Sequence, residues 1–519
     1  MPENMLPDRP PSLATRVLEP VRPDLPTALA AFCALVWICH RAWVQSITLD
    51  EADTYLHWIA PGTPSHWVPH SNNHVLNSLL IRLFVWLFGL SPMTLRAPAL
   101  MGGVFYIAAS YYLCKLVARG GFLRWALFMS FVYNPFIMDY LVAARGYGLA
   151  LGFLALAVFL FSRRVLRDEG ASQRNLLRDA IWMSTLAGLA ICGSFGFAYA
   201  CGFLLMISTV LASRRTSLKV AARTLAAHLI PAVLTVLIFA GSALTEFPRS
   251  QLFWGSQSLK QSWVEIREAS FLELNPYLVN PLLAKILESL ERRLFQALAI
   301  FAIAYLLLII ANRRQLTDSR AKSRLVLAGS AMTILILSVA ACWIQFKLLG
   351  IPLPLVRTSI WVVPLGTLSF GSAVAALPFG GLSPVRGISL GVRNFGIALA
   401  AFSAIYFIGE VRDSYFRMWK DGAEVKEAFP AIIDASRRAG VNVVASDWFV
   451  TAPLRFYKVL YQVPGLDFLA LEDIKQQAPS VYVVVPSRGG GEILRAKDSN
   501  IVWRGALSGL TVIARNRGR

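Results

Sequence analysis

The sequence predicts an α-helical polytopic membrane protein with about eleven transmembrane helices and a small α/β domain at its C-terminal end, and three observations carry that prediction. The first is composition. Among 519 residues, 56% of side chains are hydrophobic and only 15% charged, with a mean hydropathy of +0.55, too apolar for a chain of this length that folds in water. The second is length: apolar runs near the roughly 20 residues that cross a bilayer recur between residues 27 and 409. The third is a change of character after residue 410, where the short apolar runs "VNVVAS", "SVYVVVP" and "LTVIAR" are separated by helix-like stretches such as "EVKEAFPAIIDASRRAG".

In chain order, residues 1–25 are polar and Pro-rich and read as a disordered cytoplasmic tail. The run 27–44 lacks a small-residue cleavage site, so it is read as a retained helix rather than a signal peptide. Further spans are expected near 97–117, 123–138, 142–161, 179–195, 197–212, 224–243, 294–311, 325–346, 358–378 and 393–409, with 123–138/142–161 and 179–195/197–212 as short hairpins. They define a transmembrane domain over 26–410 with outer loops at 45–96 and 245–293, followed by the α/β domain at 411–519. Within the first outer loop, "VLNSLLIRLFVWLFGLSP" is apolar but short for a span and carries Arg82, as a helix lying along the membrane surface would. The second outer loop, "TEFPRSQLFWGSQSLKQSWVEIREASFLELNP", is amphipathic and rich in Trp and Phe, which suits either a movable lid or an interfacial helix.

Charge orients this scheme. With the N-terminus in the cytoplasm, alternate loops fall inside, and each carries cations: Arg119 and Arg124; Arg163, Arg164, Arg167, Arg174 and Arg178; Arg214, Arg215, Lys219 and Arg223; Arg313, Arg314, Arg320, Lys322 and Arg324; Arg386 and Arg393. Five successive loops follow the positive-inside rule and account for much of the net charge of +20 without nucleic acid as a partner. The chain is thus expected in the plasma (inner) membrane of a bacterial-type cell, multi-pass, with 411–519 periplasmic or extracellular. All six cysteines lie in apolar segments without metal or disulfide spacing. GxxxxGK[ST], HExxH and CxxC motifs are absent, and the glycine cluster of "PSRGGGEI" carries no nucleotide assignment.

The stretch "SITLDEADTYLHWIAPG" places Asp50, Glu51 and Asp53 where the first helix leaves the bilayer. "LDEADTY", then "SNNHVLNSLLIRLFVWLFGLSPMTLRAPALMGGVFYIAASYYLCKL", then "DYLVAARGYGLALGFLAL" resemble bacterial members of the GT-C glycosyltransferase superfamily, in the group that includes protein O-mannosyltransferases and the aminoarabinose transferases of lipid A. The resemblance covers the first 160 residues best, continues weakly through "LVRTSIWVVPLG" and leaves the C-terminal domain unmatched. It implies an integral-membrane enzyme that takes a sugar from a polyprenyl-phosphate carrier on the outer face, with an acidic residue of the first outer loop as base. Membrane lipid, that donor and an acceptor of unknown type (protein, lipid or glycan) are the partners it implies.

The residue chemistry agrees with this. A transfer with inversion needs a base to take the acceptor's proton while a lipid phosphate leaves, and a positioned carboxylate can serve. Asp50 matches the first position of the family's Asp-Glu pair and is the expected base. Glu51, on another face of any continuing helix, would orient Asp50 or the acceptor; the plainer alternative is that these carboxylates cap a surface helix. A leaving phosphate calls for arginine, whose fork suits its oxygens. Arg145 in "AARGYG", matching the family's Ala-Arg-aromatic pattern, and Arg357 in "LPLVRTSIWVVP" stand at outer ends of predicted spans and are the expected phosphate ligands, with snorkelling or capping as the alternative. The resemblance adds His74 as a ligand of the donor phosphate or the acceptor, and Asp53, Asn73, Tyr147 and Arg96 as substrate-binding candidates, with packing or topology as the alternative for Arg96; Val75 stands where relatives commonly have proline.

Two other chemistries were weighed. His66, His70 and His74 have i, i+4, i+8 spacing that could hold a divalent metal, but Pro69 interrupts the helix it needs, and the resembling family is taken to be metal-independent, so no cofactor is expected. A transporter or flippase of lipid-linked sugars would carry charges deep in several spans, whereas these spans are nearly free of charge. A non-catalytic scaffold on the same fold remains the third reading.

Overall fold

Apolar runs too long for a loop and too polar at their ends for anything but a bilayer-crossing helix dominate the architecture. The computed structural model describes residues 24–63, 70, 73–166, 173–214, 217–245, 252, 254–312, 319–377, 383–474, 480–488, 491–495 and 499–515. The tail expected over 1–25 falls outside them except for its last two residues, as do His66, Pro69, Arg167, Arg215, Arg313 and Arg314. The first half of the helical region comprises α1 (Leu25–Val44), α2 (Leu49–Trp58), α3 (Val75–Phe88), α4 (Pro92–Val117), α5 (Gly121–Val132), α6 (Pro135–Tyr140), α7 (Tyr147–Leu166) and α8 (Gln173–Gly193). The second comprises α9 (Ala198–Ser213), α10 (Leu218–Thr245), α11 (Leu259–Ser270), α12 (Pro281–Arg292), α13 (Leu294–Asn312), α14 (Ser319–Leu349), α15 (Val362–Ala376) and α16 (Ser383–Glu410).

Ten of the described helices (α1, α4, α7, α8, α9, α10, α13, α14, α15 and α16) are long and apolar enough to cross a membrane, α9 and α15 together with the 3-10 turns Phe195–Phe197 and Val356–Ser359 that lead into them. The chain is an integral membrane protein. The helix expected at 123–138 differs from the sequence reading: it divides into α5, of 12 residues, and α6, of six. Asn134 leaves helical geometry and accepts a hydrogen bond from Ile137 N at 3.3 Å, while Pro135, which has no N–H, opens α6 where that donor would have no helical partner. The span expected from 142 begins only at Tyr147, and 141–146 is a buried turn instead.

That turn is held by close backbone contact. Gly102 of α4 sits against Gly148 and Gly152 of α7: a Cβ on Gly102 would lie 2.3 Å from the Gly148 carbonyl oxygen, and one on Gly152 2.4 Å from that of Gly102. Small residues four apart let two membrane helices approach to backbone contact, and here they seat the N-terminus of α7 against α4.

The C-terminal region is an α/β domain, as the alternating pattern predicts: α17 (Val425–Ala439), β1 (Val443–Ser446), α18 (Trp448–Leu460), β2 (Asp467–Ala470), β3 (Val481–Val484), α19 (Gly491–Arg495), β4 (Ser499–Arg504) and β5 (Thr511–Arg515). The sheet order is β2-β1-β3-β5-β4, with β1 parallel to β2 and β3, and β5 antiparallel to β3 and β4. Its α18 docks on α2: Tyr457 Oη accepts from Ile47 N at 2.9 Å, and Phe456 meets Tyr55 edge-on with centroids 5.5 Å apart.

Candidate active site

The short helix α2 begins with Thr48, whose hydroxyl accepts from Glu51 N at 3.2 Å while its own amide donates to Glu51 Oε2 at 2.9 Å. This reciprocal cap satisfies two otherwise orphaned donors and leaves the two adjacent carboxylates facing different surroundings. Glu51 points inward, where Arg96 of α4 donates to both of its oxygens at 2.8 Å and Ala144 N donates to Oε1 at 2.7 Å. The remaining donors of Arg96 go to the carbonyls of Ala42, Gln45 and Ser46. Both side chains are wholly buried. Burial disfavours the Glu51 carboxylate, yet Arg96 and the two amides outweigh it and hold the group below its usual range. Of the two expected site residues, the catalytic candidate Glu51 and the substrate-binding candidate Arg96, the bonding groups are engaged with each other and with the backbone, and together they pin α1, α2, α4 and the turn at Ala144.

That turn delivers Arg145. With Ala144 held by Glu51 on its amide and by Asn77 Nδ2 on its carbonyl at 3.3 Å, the next side chain is directed under α2. Arg145, 1% exposed, donates to Thr54 Oγ1 at 3.2 Å and to the Asp50 carbonyl at 3.4 Å; Thr54 Oγ1 donates to that carbonyl at 2.8 Å. Gly146 is essential to this path, because a Cβ there would lie 1.8 Å from the Gly193 carbonyl oxygen.

Asp50 faces the opposite way from Glu51, and its Oδ2 accepts from Arg357 Nη1 at 2.5 Å. Burial pushes the Asp50 carboxyl upward, but Arg145 and Arg357 outweigh it and hold the group below the usual carboxylate range. Arg357 comes from the 3-10 turn before α15, where Val356 takes a left-handed φ of 44°. For a β-branched residue this costs about 1–2 kcal/mol. The turn is braced by Thr358 Oγ1, which accepts from Leu355 N at 2.8 Å, and by backbone pairing of Ser256 with Leu353. Trp254, in the second outer loop, lies under the Arg357 guanidinium at 5.3 Å.

His74 completes the cluster at the N-terminus of α3. Its Nδ1 donates to the Gly193 carbonyl at 2.9 Å, and its ring meets Tyr147 edge-on at 4.9 Å. Burial, reinforced by Arg145 and Arg357, keeps this imidazole well below the usual histidine range, so it is neutral, with the lone pair on Nε2. Of the two expected contacts, donor phosphate or acceptor, a neutral ring with its one proton committed to Gly193 offers an acceptor atom, which suits a hydroxyl or amine. Tyr147 packs between His74 and Tyr140, 5.2 Å from the latter. Asn73, an expected substrate contact, accepts from Ser78 Oγ at 2.8 Å and so secures the start of α3.

Asp53, one turn beyond Asp50, remains 31% exposed, with His57 Nδ1 3.9 Å from its Oδ1. Burial raises its carboxyl, and the Asp50 charge adds to the effect against the pull of His57. His70 packs on Trp58 at 5.5 Å. Among the described residues, no group of three or more His, Cys, Asp or Glu side chains gathers as a metal site would.

Several participants were not singled out from sequence. Thr54 and Trp254 have no motif; Tyr140 and Asp139 lie inside "DYLVAARGYG" but had no assigned role. Asp139 accepts from Arg41 Nη2 at 2.7 Å and from Arg417 N at 2.9 Å, tying α1 and α6 to the segment that leads into the C-terminal domain. Beside it lies a small cleft lined by Phe136, Tyr140, Ala269, Val356 and Trp419.

No protein-family model matches the chain, and no curated protein does. Among solved structures, ArnT from Cupriavidus metallidurans bound to undecaprenyl phosphate aligns over 98% of this chain and 99% of its own, at 12% identity and a TM-score of 0.47. The same ArnT in the apo state aligns over 97% and 98%, at 13% identity and a TM-score of 0.39. The Archaeoglobus fulgidus oligosaccharyltransferase tethered with an acceptor peptide aligns over 86% of this chain and 64% of its own, at 12% identity and a TM-score of 0.39.

Proposed function

We propose that the chain is a GT-C-type glycosyltransferase that moves a sugar from a polyprenyl-phosphate-linked donor to an acceptor on the outer face of the membrane, with Asp50 as general base. The observation that carries this reading is the charge balance around Asp50: one carboxylate lies between two buried or half-buried guanidiniums, Arg145 and Arg357, beside a neutral His74. One carboxylate against two arginines leaves a single positive charge, matched to the single negative charge of a lipid phosphodiester. A site of this kind attracts an anion and also contains a base, a combination that a simple phosphate receptor does not need.

In the reaction, an acceptor O–H or N–H gives its proton to an Asp50 oxygen as the acceptor atom bonds to the anomeric carbon. The bond from that carbon to the phosphate oxygen breaks, and the electron pair leaves with the polyprenyl phosphate. Arg145 and Arg357 stabilise the charge that grows on the leaving group. Glu51 and Arg96 act as positioning residues through α2 and the Ala144 turn, Asp53 stands at the exposed rim toward the acceptor, and His74 Nε2 accepts from a sugar or acceptor hydroxyl. The same orientation puts the N-terminus in the cytoplasm and 411–519 outside, as the arginine-bearing loops favour.

The test is turnover of purified protein in lipid with a panel of radiolabelled polyprenyl-phosphate hexoses and pentoses and a cell-envelope extract as acceptor. Consumption of one donor with release of polyprenyl phosphate is the expected result. If no donor in the panel is consumed while lipid-linked sugar crosses the bilayer, a flippase replaces this reading.

A further inference from the structure

We propose that Arg357 serves two anions in turn, the Asp50 carboxylate in the resting protein and the phosphate of the lipid carrier in the loaded one, so that Asp50 is unmasked as a base only when a carrier is seated. This deepens the glycosyltransfer reading and rests on it.

The two arginines approach Asp50 differently. Arg145 bonds to the Asp50 carbonyl and to Thr54, contacts that leave the carboxylate oxygens open, and it is fixed by the turn at Ala144 and Gly146. Arg357 bonds directly to Oδ2, at 2.5 Å, from a turn 307 residues away in sequence. An oxygen engaged by a guanidinium at that distance is a poor proton acceptor. The side chain of Arg357 lies over the flat face of Trp254, a contact that keeps its stabilisation when the guanidinium shifts across the ring.

The charge movement in the reaction reinforces the exchange that carrier binding begins. At the start, Asp50 carries one negative charge and the phosphodiester carries another. As the acceptor's proton moves to Asp50 and the carbon–oxygen electron pair leaves with the phosphate, the carboxyl becomes neutral and the phosphate monoester gains the charge. One unit of negative charge thus passes from Asp50 to the leaving group, and a cation between them is better placed on the phosphate at the end than at the beginning. Arg357 follows the charge.

It follows that Asp50 and the carrier phosphate compete for Arg357. The experiment measures binding of undecaprenyl phosphate to the full-length protein in nanodiscs of zwitterionic lipid, for wild type, Asp50→Asn, Arg357→Gln and the double variant, with thermal unfolding as the check that each is folded. Removing the competitor in Asp50→Asn tightens binding by about tenfold, a modest effect for close charge pairs in a protein interface, and the gain vanishes in the Arg357→Gln background. Binding by folded Asp50→Asn that is equal to or weaker than wild type overturns the proposal, and so does a gain of the same size without Arg357, since that would reflect overall charge. If wild type does not bind the lipid phosphate at any concentration, the donor reading fails and this proposal fails with it.

Discussion

Asp50 and Glu51 are neighbours in sequence with opposite surroundings, and the difference sets what each substitution does. Glu51→Gln leaves the Arg96 guanidinium fully buried with half of its partner removed, and breaking a buried pair from one side costs about 3–5 kcal/mol. The expected outcome is a clearly lowered unfolding temperature with loss of activity in proportion to lost folded protein. An Asp50→Asn variant with the same loss of stability would contradict this division of roles. Arg357→Gln tests the electrostatics of the base. The groups facing Asp50 are Arg145, Arg357 and neutral His74, with Asp53 and Tyr140 nearby. Activity needs the Asp50 carboxylate, so the rate falls as pH drops through its pKa, which the arginines hold below the usual range. With Arg357 removed, burial is opposed chiefly by Arg145, the pKa of the carrier-free protein rises, and the acid limb of the kcat/KM profile, which reports that state, moves to higher pH. An unmoved limb would mean that Arg357 does not act on the base.

At the scale of elements, the 141–146 turn decides whether Arg145 reaches the site. Gly146→Ala would place a Cβ 1.8 Å from the Gly193 carbonyl oxygen, so the turn must shift, and a displacement near 1 Å at a reacting centre costs about 10²-fold in rate. The expected result is a large fall in kcat with a smaller change in unfolding temperature; full activity would show that the turn has slack. Spacing alone predicts the long helices well, because a 20-residue apolar run has few alternatives in a bilayer. The break at Tyr133–Pro135 was missed because the run 123–138 remains apolar across it, although Asn134 and Pro135 are the usual residues of a helix start. The 141–146 turn was absorbed into a predicted span for the same reason: its residues are apolar and buried, and what makes it a turn is glycine contact with α8, which no local pattern displays.

Across the whole molecule, the α/β character of the C-terminal domain was visible in its alternating runs, but its role in the site was not. Its α18 packs on the helix that carries Asp50, and Ser46 Oγ, accepting from Lys426 N at 3.2 Å, closes the junction from the other side. The meeting of Asp50 with Arg357 was likewise invisible as a contact, since Asp50 was expected as the base and Arg357 at the phosphate, and 307 positions separate them. Asp50, Arg145 and Arg357 were legible because carboxylates and arginines at the ends of apolar runs need a reason to be there. The buried pairing of Glu51 with Arg96 was not legible, because burial, not residue type, distinguishes a brace from a reactive group.

The central claim is that Asp50 is the base of a sugar transfer from a lipid phosphate. Its most direct test is a single-turnover measurement with saturating lipid-linked donor and acceptor, comparing wild type with Asp50→Asn. The account predicts that both proteins bind the donor and that polyprenyl phosphate is released about 10²–10⁴-fold more slowly by the variant, the range a lost general base produces. Release at the wild-type rate by a folded, donor-loaded Asp50→Asn would contradict it.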